Sequence, residues 1–176
     1  MLNCPFCCGE NIEGADFCEE CGQPLDDAHL TTPATEVEQS LLRDRVSALA
    51  PKPPVTVAPS TPVGDVLRLI VERNIGCVIV VDGDEPLGIF SERDALHKLN
   101  TEAPQLIGRP VSEFMTAHPQ TLVADAKIAY AVQRMDLGGY RHVPIVGERG
   151  ELVGIISARD ILRHLTDNMQ RDTGDA

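Results

Sequence analysis

The stretch from residue 46 to 99 is written a second time from 111 to 165, and this duplication constrains the fold more than any other feature of the chain. Val46-Ser47-Ala48-Leu49 answers Val111-Ser112-Glu113-Phe114, and Pro54-Val55-Thr56-Val57 answers Pro119-Gln120-Thr121-Leu122, at a constant offset of 65. One inserted residue then makes the offset 66. There Gly88-Ile89-Phe90-Ser91-Glu92-Arg93-Asp94 falls on Gly154-Ile155-Ile156-Ser157-Ala158-Arg159-Asp160.

Each copy reads as a short strand, a helix, two strands joined by a turn, and a second helix. Val63, Val66, Leu67 and Ile70 follow Pro62 at helical spacing, so the first helix buries one face. Cys77 to Val81 is a continuous apolar run, Asp82-Gly83-Asp84-Glu85 is a polar turn, and Leu87 to Phe90 returns as a strand. His142 to Val146, Gly147 to Gly150 and Leu152 to Ile156 repeat that hairpin. Strands apolar on both faces need cover on both sides, and a copy of about 55 residues is too small to supply it alone. The two copies are therefore expected to pack on each other, residue 46 to 170 forming one body.

The N-terminus is chemically different. Five of the six cysteines lie in the first 21 residues, as Cys4-x2-Cys7-Cys8 and Cys18-x2-Cys21. Two Cys-x2-Cys knuckles close the four-sulfur shell of a structural Zn²⁺ site, whose ligands by spacing are Cys4, Cys7, Cys18 and Cys21. Cys8 competes with Cys7 for that role, because it stands where such knuckles carry a small glycine. Phe6, Ile12 and Phe17 are nearly the only apolar groups here, so metal binding must supply the folding energy of residues 1–28. Residues 4 to 25 also resemble the short zinc-ribbon family.

His29 to Thr35 reads as a tether, and Thr35 to Ala50 as a helix leading into the core, with Thr35 and Glu38 as a capping box and Leu42, Val46 and Leu49 as its stripe. Residues 29–45 thus form linker and lead-in helix, and 171–176 a disordered tail. Residues 1 to 34 hold seven acids and no Lys or Arg out of a net charge of −12, which makes the ribbon a poor nucleic-acid ligand. No apolar run approaches the roughly 20 residues of a membrane span, and Met1-Leu2-Asn3-Cys4-Pro5 lacks the pattern of a secretion signal, so a cytoplasmic protein is expected.

The duplicated order, together with Gly-hydrophobic-x-Ser-x-x-Asp twice, resembles the CBS-pair family, or Bateman module, over residues 46 to 166 (repeats 46–99 and 111–166). The resemblance implies an α/β (α+β) fold of two β-α-β-β-α repeats packed pseudo-symmetrically, and a homodimer. Ser91 and Ser157 stand where a strand meets a helix N-terminus, which favours an anion. Their hydroxyls, Arg93 or Arg159, and Asp94 or Asp160 offer groups for phosphate and ribose; the same Ser and Asp also make ordinary helix caps. By resemblance one adenine-nucleotide site would use Ser157, Arg159, Asp160, Arg141 and His142, with Val55, Ile75 and Gly76 walling the base. Its twin would use Ser91, Arg93 and Asp94 with Gln120 and Tyr140. The first is expected to be tighter, because Gly76 and Cys77 replace Arg141 and His142 in the other copy. No catalytic residue is expected: His142 has no nucleophile at a telling spacing, Cys77 reads as an apolar filler, and His97, His118 and His164 read as surface groups. The expected role is regulatory, with an adenine nucleotide as ligand and the ribbon addressing an unidentified protein partner. The alternative is a ligand-free dimerisation scaffold with the ribbon as a docking or nucleic-acid-binding finger.

Overall fold

In the computed structural model the described residues are 2–4, 6–11, 17–25, 40–41 and 43–172. Ile12, the run Glu13 to Asp16, the tether, Thr35, Glu38, Leu42 and residues 173–176 lie outside them. The N-terminal segment carries a two-stranded antiparallel sheet, β1 (Leu2–Asn3) and β2 (Glu10–Asn11).

The first repeat runs β3 (Thr56–Val57), α1 (Val63–Arg73), β4 (Cys77–Asp82), β5 (Glu85–Ser91) and α2 (Glu92–Asp94), which continues as a π-helical turn over Ala95–Leu99. A short α3 (Ala103–Leu106) and β6 (Thr116–Ala117) follow. The second repeat runs β7 (Leu122–Val123), α4 (Ile128–Gly138), β8 (His142–Val146), β9 (Leu152–Ser157) and α5 (Ala158–Asp172). The strands form a four-stranded sheet in the order β3-β4-β5-β6 and a three-stranded sheet β7-β8-β9, so this is a mixed α/β fold without a closed barrel among the described residues.

Equivalent residues end equivalent elements. α1 stops at Asn74 (φ 51°) and α4 at Gly139 (φ 62°), two positions 65 apart that turn left-handed and give their N–H groups back to the last turn. β4 and β5 pair antiparallel from Cys77 opposite Ser91 to Asp82 opposite Glu85, with a bulge at Val80/Val81. Val63, Val66 and Ile70 of α1 pack with Val78, Val80 and Phe90 of the hairpin, each buried, which is the stripe the spacing predicts.

The described chain divides into two compact units: residues 1–51, 122–143 and 156–176 in the first, and 52–121 and 144–155 in the second. Hydrogen bonds explain why this division does not follow the repeat boundary. The lead-in turn of repeat 1, Val46–Leu49, donates from Val46 N–H to Ala126 O (2.8 Å) and from Ser47 N–H to Ala124 O (2.8 Å), both in repeat 2. The lead-in turn of repeat 2, Val111–Glu113, donates from Val111 N–H to Thr61 O (2.8 Å) and from Ser112 N–H to Pro59 O (3.2 Å), both in repeat 1. Ile128 N–H to Asp44 O and Val63 N–H to Arg109 O complete the same exchange. Each repeat therefore lends its first turn to the other's strand-helix junction.

This exchange also corrects the single helix expected over Thr35 to Ala50. Ser40, Leu41 and Arg43 are helical, but the chain extends at Arg45 (φ −90°, ψ 155°) and restarts as a 3₁₀ turn at Val46. Asp44 O and Val46 N–H are both committed to residues 126–128, and a continuous helix would need those groups for itself. At the other end α5 runs to Asp172, two residues beyond the boundary expected at 170.

Val46 is fully buried although it precedes its own repeat's core. Val46→Ala is expected to cost about 2 kcal/mol, from lost transfer energy and the cavity left behind. Urea unfolding measures it, and a loss below a few tenths of a kcal/mol would show that the lent turn contributes no core.

Candidate functional site

Two sets of residues carry chemistry. The first is the cysteine cluster. The Sγ atoms of Cys4, Cys7, Cys18 and Cys21 all lie within 4.8 Å of one another, with Cys4 to Cys21 at 3.6 Å and Cys7 to Cys18 at 3.5 Å. Zinc-sulfur bonds of about 2.3 Å in a tetrahedron put sulfurs about 3.8 Å apart, so the donor set fits Zn²⁺.

The backbone builds the cluster from two matching knuckles. Cys8 N–H donates to Cys4 O and Gly22 N–H to Cys18 O, both at 2.8 Å; Cys4 N–H returns to Gly9 O and Cys18 N–H to Gln23 O. Amides of Phe6 and Gly9 point at the sulfurs of Cys4 (3.3 Å) and Cys7 (3.4 Å). Cys8 (φ 63°) and Gly22 (φ 69°) fill the same left-handed position; Cys7 and Cys8 are both exposed, and Cys7 joins the four-sulfur group while Cys8 lies outside it. Burial first, then the neighbouring thiols, pushes Cys21 up to about 12. Only a bound cation lets four such sulfurs be thiolates together near neutral pH.

The cluster is seated on α4 of the second repeat. Phe6 meets Tyr130 edge to face with ring centroids 6.1 Å apart, the Tyr130 hydroxyl donates to Pro24 O (3.2 Å), and the Arg134 guanidinium lies 4.1 Å from the Phe6 centroid. Arg134 is buried and interacts electrostatically with Cys4, Cys8 and Cys21. A cation there complements a four-thiolate zinc centre of net charge −2. Sequence spacing gave no sign of Tyr130 or Arg134; on α4 they look like ordinary helix residues.

The second set is the duplicated strand-to-helix corner. Ser91 and Asp94 form a reciprocal cap: Asp94 Oδ2 accepts from Ser91 N–H (3.0 Å) and Ser91 Oγ (2.6 Å), while Asp94 N–H donates to Ser91 Oγ (3.3 Å). Ser157 and Asp160 repeat it at 2.8, 2.6 and 3.4 Å. The preceding loop reaches each corner in the same way, since Glu92 N–H donates to Gly76 O (3.1 Å) and Ala158 N–H to Arg141 O (2.9 Å). The backbone of Arg141 therefore sits at the Ser157 corner, and that of Gly76 at the Ser91 corner.

Tyr140, Arg141, His142, Ser157, Arg159 and Asp160 fall in the first unit; Val55, Ile75, Gly76, Ser91, Arg93, Asp94 and Gln120 fall in the second. Arg93, Gln120, Arg141 and Arg159 are exposed, Val55, Ile75, Gly76, Tyr140, His142, Ser91, Asp94 and Ser157 are half-buried, and Asp160 is buried. Val55 O accepts from Ile79 N–H beside β4.

His164 is not the surface group its spacing suggests. It is largely buried, and its Nε2 lies 2.7 Å from Asp44 Oδ2 and 3.0 Å from Ser40 Oγ, with Asn168 also bonded to Ser40. The network joins positions more than 110 residues apart, which no local pattern reveals. Ser40 and Asp44 both address one ring nitrogen, whereas a nucleophile triad needs its serine and carboxylate on opposite nitrogens. Cys77 is buried opposite Ser91, and burial together with the charges of Asp94 and Glu92 pushes its thiol up to about 12.

The CBS domain model matches residues 44–101 and 111–167. The chain belongs to the CBS-domain family. An uncharacterized 17.7 kDa protein of Acidianus ambivalens is 31% identical over 70% of this chain and 74% of its own length. The crystal structure of a CBS-domain containing protein from Agrobacterium tumefaciens aligns with a TM-score of 0.62 at 29% identity, over 68% of this chain and 94% of that one. A CBS domain protein of Pyrobaculum aerophilum complexed with AMP aligns at 0.60 and 27% identity, over 70% and 98%. Against a longer Arabidopsis thaliana CBS domain-containing protein, CBSCBSPB5, 31% identical over 66% of this chain, the match spans 21% of that protein. Among the described residues no helix is long and apolar enough to cross a membrane.

Cys8→Gly is expected to keep one zinc per chain and to stabilise the metal-bound ribbon by about 1 kcal/mol, by relieving a left-handed side chain; Cys7→Ser should lose the stoichiometric metal. Zinc analysis after native purification reads both, and metal retained by Cys7→Ser but lost from Cys8→Gly would assign the ligand to Cys8. Acid provides another test. Burial raises the carboxyls of Asp94 and Asp44, but hydrogen bonds from Lys98, Ser91 and Thr116 to the one, and from Ser40 and His164 to the other, outweigh it and hold both below the ordinary value. A lowered folded value stabilises above the unfolded pKa of about 4 and is lost as pH falls through the folded value. The Tm of the wild type should fall below about pH 4, and the fall should be shallower in Asp94→Asn.

Proposed function

We propose that this CBS-domain chain is a non-catalytic regulatory protein that binds an adenine nucleotide or related adenosyl ligand at the Ser157 corner. Its N-terminal ribbon holds a structural Zn²⁺ through Cys4, Cys7, Cys18 and Cys21. The observation that carries the ligand reading is the corner itself: Ser157 opens a full-length helix, α5, beside the Arg141 backbone, with the exposed Arg159 two residues on and a buried carboxylate at Asp160. Amides and the positive helix end suit a phosphate, Arg141, His142 and Arg159 supply cations, and Asp160 suits ribose hydroxyls. The AMP complex of the Pyrobaculum relative supports the ligand class.

The ribbon's role follows from its seat on α4, the helix that ends at Gly139 just before Tyr140 and Arg141. A signal at the Ser157 corner has a short covalent path to the ribbon, whose remaining faces are available to a protein partner. Free cysteines are consistent with a reducing cytoplasm. A homodimer is the expected assembly.

One observation favours the ligand-free scaffold as a second reading. Both Ser-Asp pairs are complete capping boxes, stable with no guest. Isothermal titration with AMP, ADP, ATP and S-adenosyl-methionine separates the two. AMP is expected to bind, and Asp160→Ala to weaken it at least tenfold, the scale of a lost hydrogen bond to a charged group. No binding at high micromolar concentration by protein purified free of nucleotide would leave the scaffold reading.

A further inference from the structure

Arg134 is shared between the cysteine cluster and the residue that precedes Arg141. Its guanidinium lies 4.1 Å from the centroid of the Phe6 ring. Burial lowers its pKa, and interactions with Tyr140, Cys8, Cys21 and Cys4 act in the opposite direction. The Tyr140 phenol feels the same pairing from its own side, where burial raises it and Arg134 opposes the rise.

Tyr140 is folded back onto α4. A Cβ added at Gly138, the last residue of that helix and one turn beyond Arg134, would collide with the Tyr140 ring. The next residue, Arg141, gives its carbonyl to Ala158 N–H (2.9 Å) at the start of α5. Phe6, the four clustered cysteines, Arg134, Tyr140 and the Ser157 corner all belong to one compact unit. At the other end Phe6 is tied to the knuckle by its own backbone, since its N–H points at Cys4 Sγ (3.3 Å).

Zn²⁺ held by four thiolates is a centre of net charge −2, four negative charges against two positive. Loading the cluster therefore brings net negative charge to a buried guanidinium, whose burial is costly without a counter-charge. An occupied cluster holds both the Phe6 ring and that charge against Arg134, and Arg134 holds Tyr140 on the helix end. Two ligands whose sites depend on one ordered residue favour each other, because the first to bind has already ordered it for the second.

We propose that Arg134 couples the cysteine cluster to the Ser157 corner, so that the metal and the adenosyl ligand bind cooperatively. Arg134 is a positioning residue that acts through Phe6 and Tyr140. The inference rests on the nucleotide reading for its second ligand, while the link from the cluster to Tyr140 does not. Linkage makes the effect mutual: the factor by which metal strengthens AMP binding is the factor by which AMP strengthens zinc binding.

The experiment uses the full zinc-loaded chain. It has two tyrosines and no tryptophan, so ¹³C-labelled tyrosine reports Tyr130 at the seat and Tyr140 near the corner. Removing zinc with a competing chelator is expected to shift both signals in the wild type. In Arg134→Met, and in Phe6→Ala, which leaves α4 intact should the first variant not fold, the Tyr140 response should disappear. In the same titration saturating AMP should raise the apparent zinc affinity of the wild type at least about fivefold, and that of either variant by less than about twofold. A Tyr140 signal indifferent to zinc in the wild type, an equal response in the variants, or a zinc affinity unmoved by AMP that does bind would each overturn the proposal. Absence of any AMP binding by the wild type would instead overturn the nucleotide reading, and the Tyr140 signal would then decide the link by itself.

Discussion

The exchange of lead-in turns is the constraint on which the rest of this structure depends. Val46 and Val111, each fully buried, donate their amides to the partner repeat's strand-helix junction rather than to their own. A single repeat has too little apolar surface to cover its sheet, and lending a turn is one way two copies on one chain supply each other. The lent turn fixes the start of α1 through Arg109 O and the start of α4 through Asp44 O, and hence the paths that lead to Gly76 and Arg141. Corner geometry is in this sense a consequence of the exchange.

From equal backbones the two corners have become unequal by side chains. The reciprocal Ser-Asp cap is kept in both, because a strand that turns directly into a helix leaves amides needing acceptors whatever else the corner does. What differs one turn further along the helix is Lys98 in one copy and His164 in the other. The histidine has been drawn into a polar network with Ser40 and Asp44, so the same position that latches one corner anchors the N-terminal segment in the other.

The N-terminal cysteine cluster lies in the same compact unit as α4. Its sulfur geometry is set locally by two knuckles, yet its placement is set by Phe6, Tyr130 and Arg134 across more than a hundred residues of sequence. A buried guanidinium near a cluster of thiolates is electrostatically costly for either alone and favourable for the two together. A cation held by the four sulfurs would link the cluster to the packing of α4, because Phe6 of the first knuckle lies against Arg134.

The duplication, the strand-helix-strand-strand-helix order, the four sulfurs and the two Ser-x-x-Asp corners were all legible in the sequence, because each follows from spacing along the chain: period, turn residues, knuckle geometry and caps act over a few residues. The break at Arg45, the burial of His164, the seat of Phe6 on α4 and the meeting of Thr116 with Asp94 depended on tertiary structure alone. Each joins residues distant in sequence, where the deciding energy is a buried hydrogen bond or ring contact whose second partner no local pattern names.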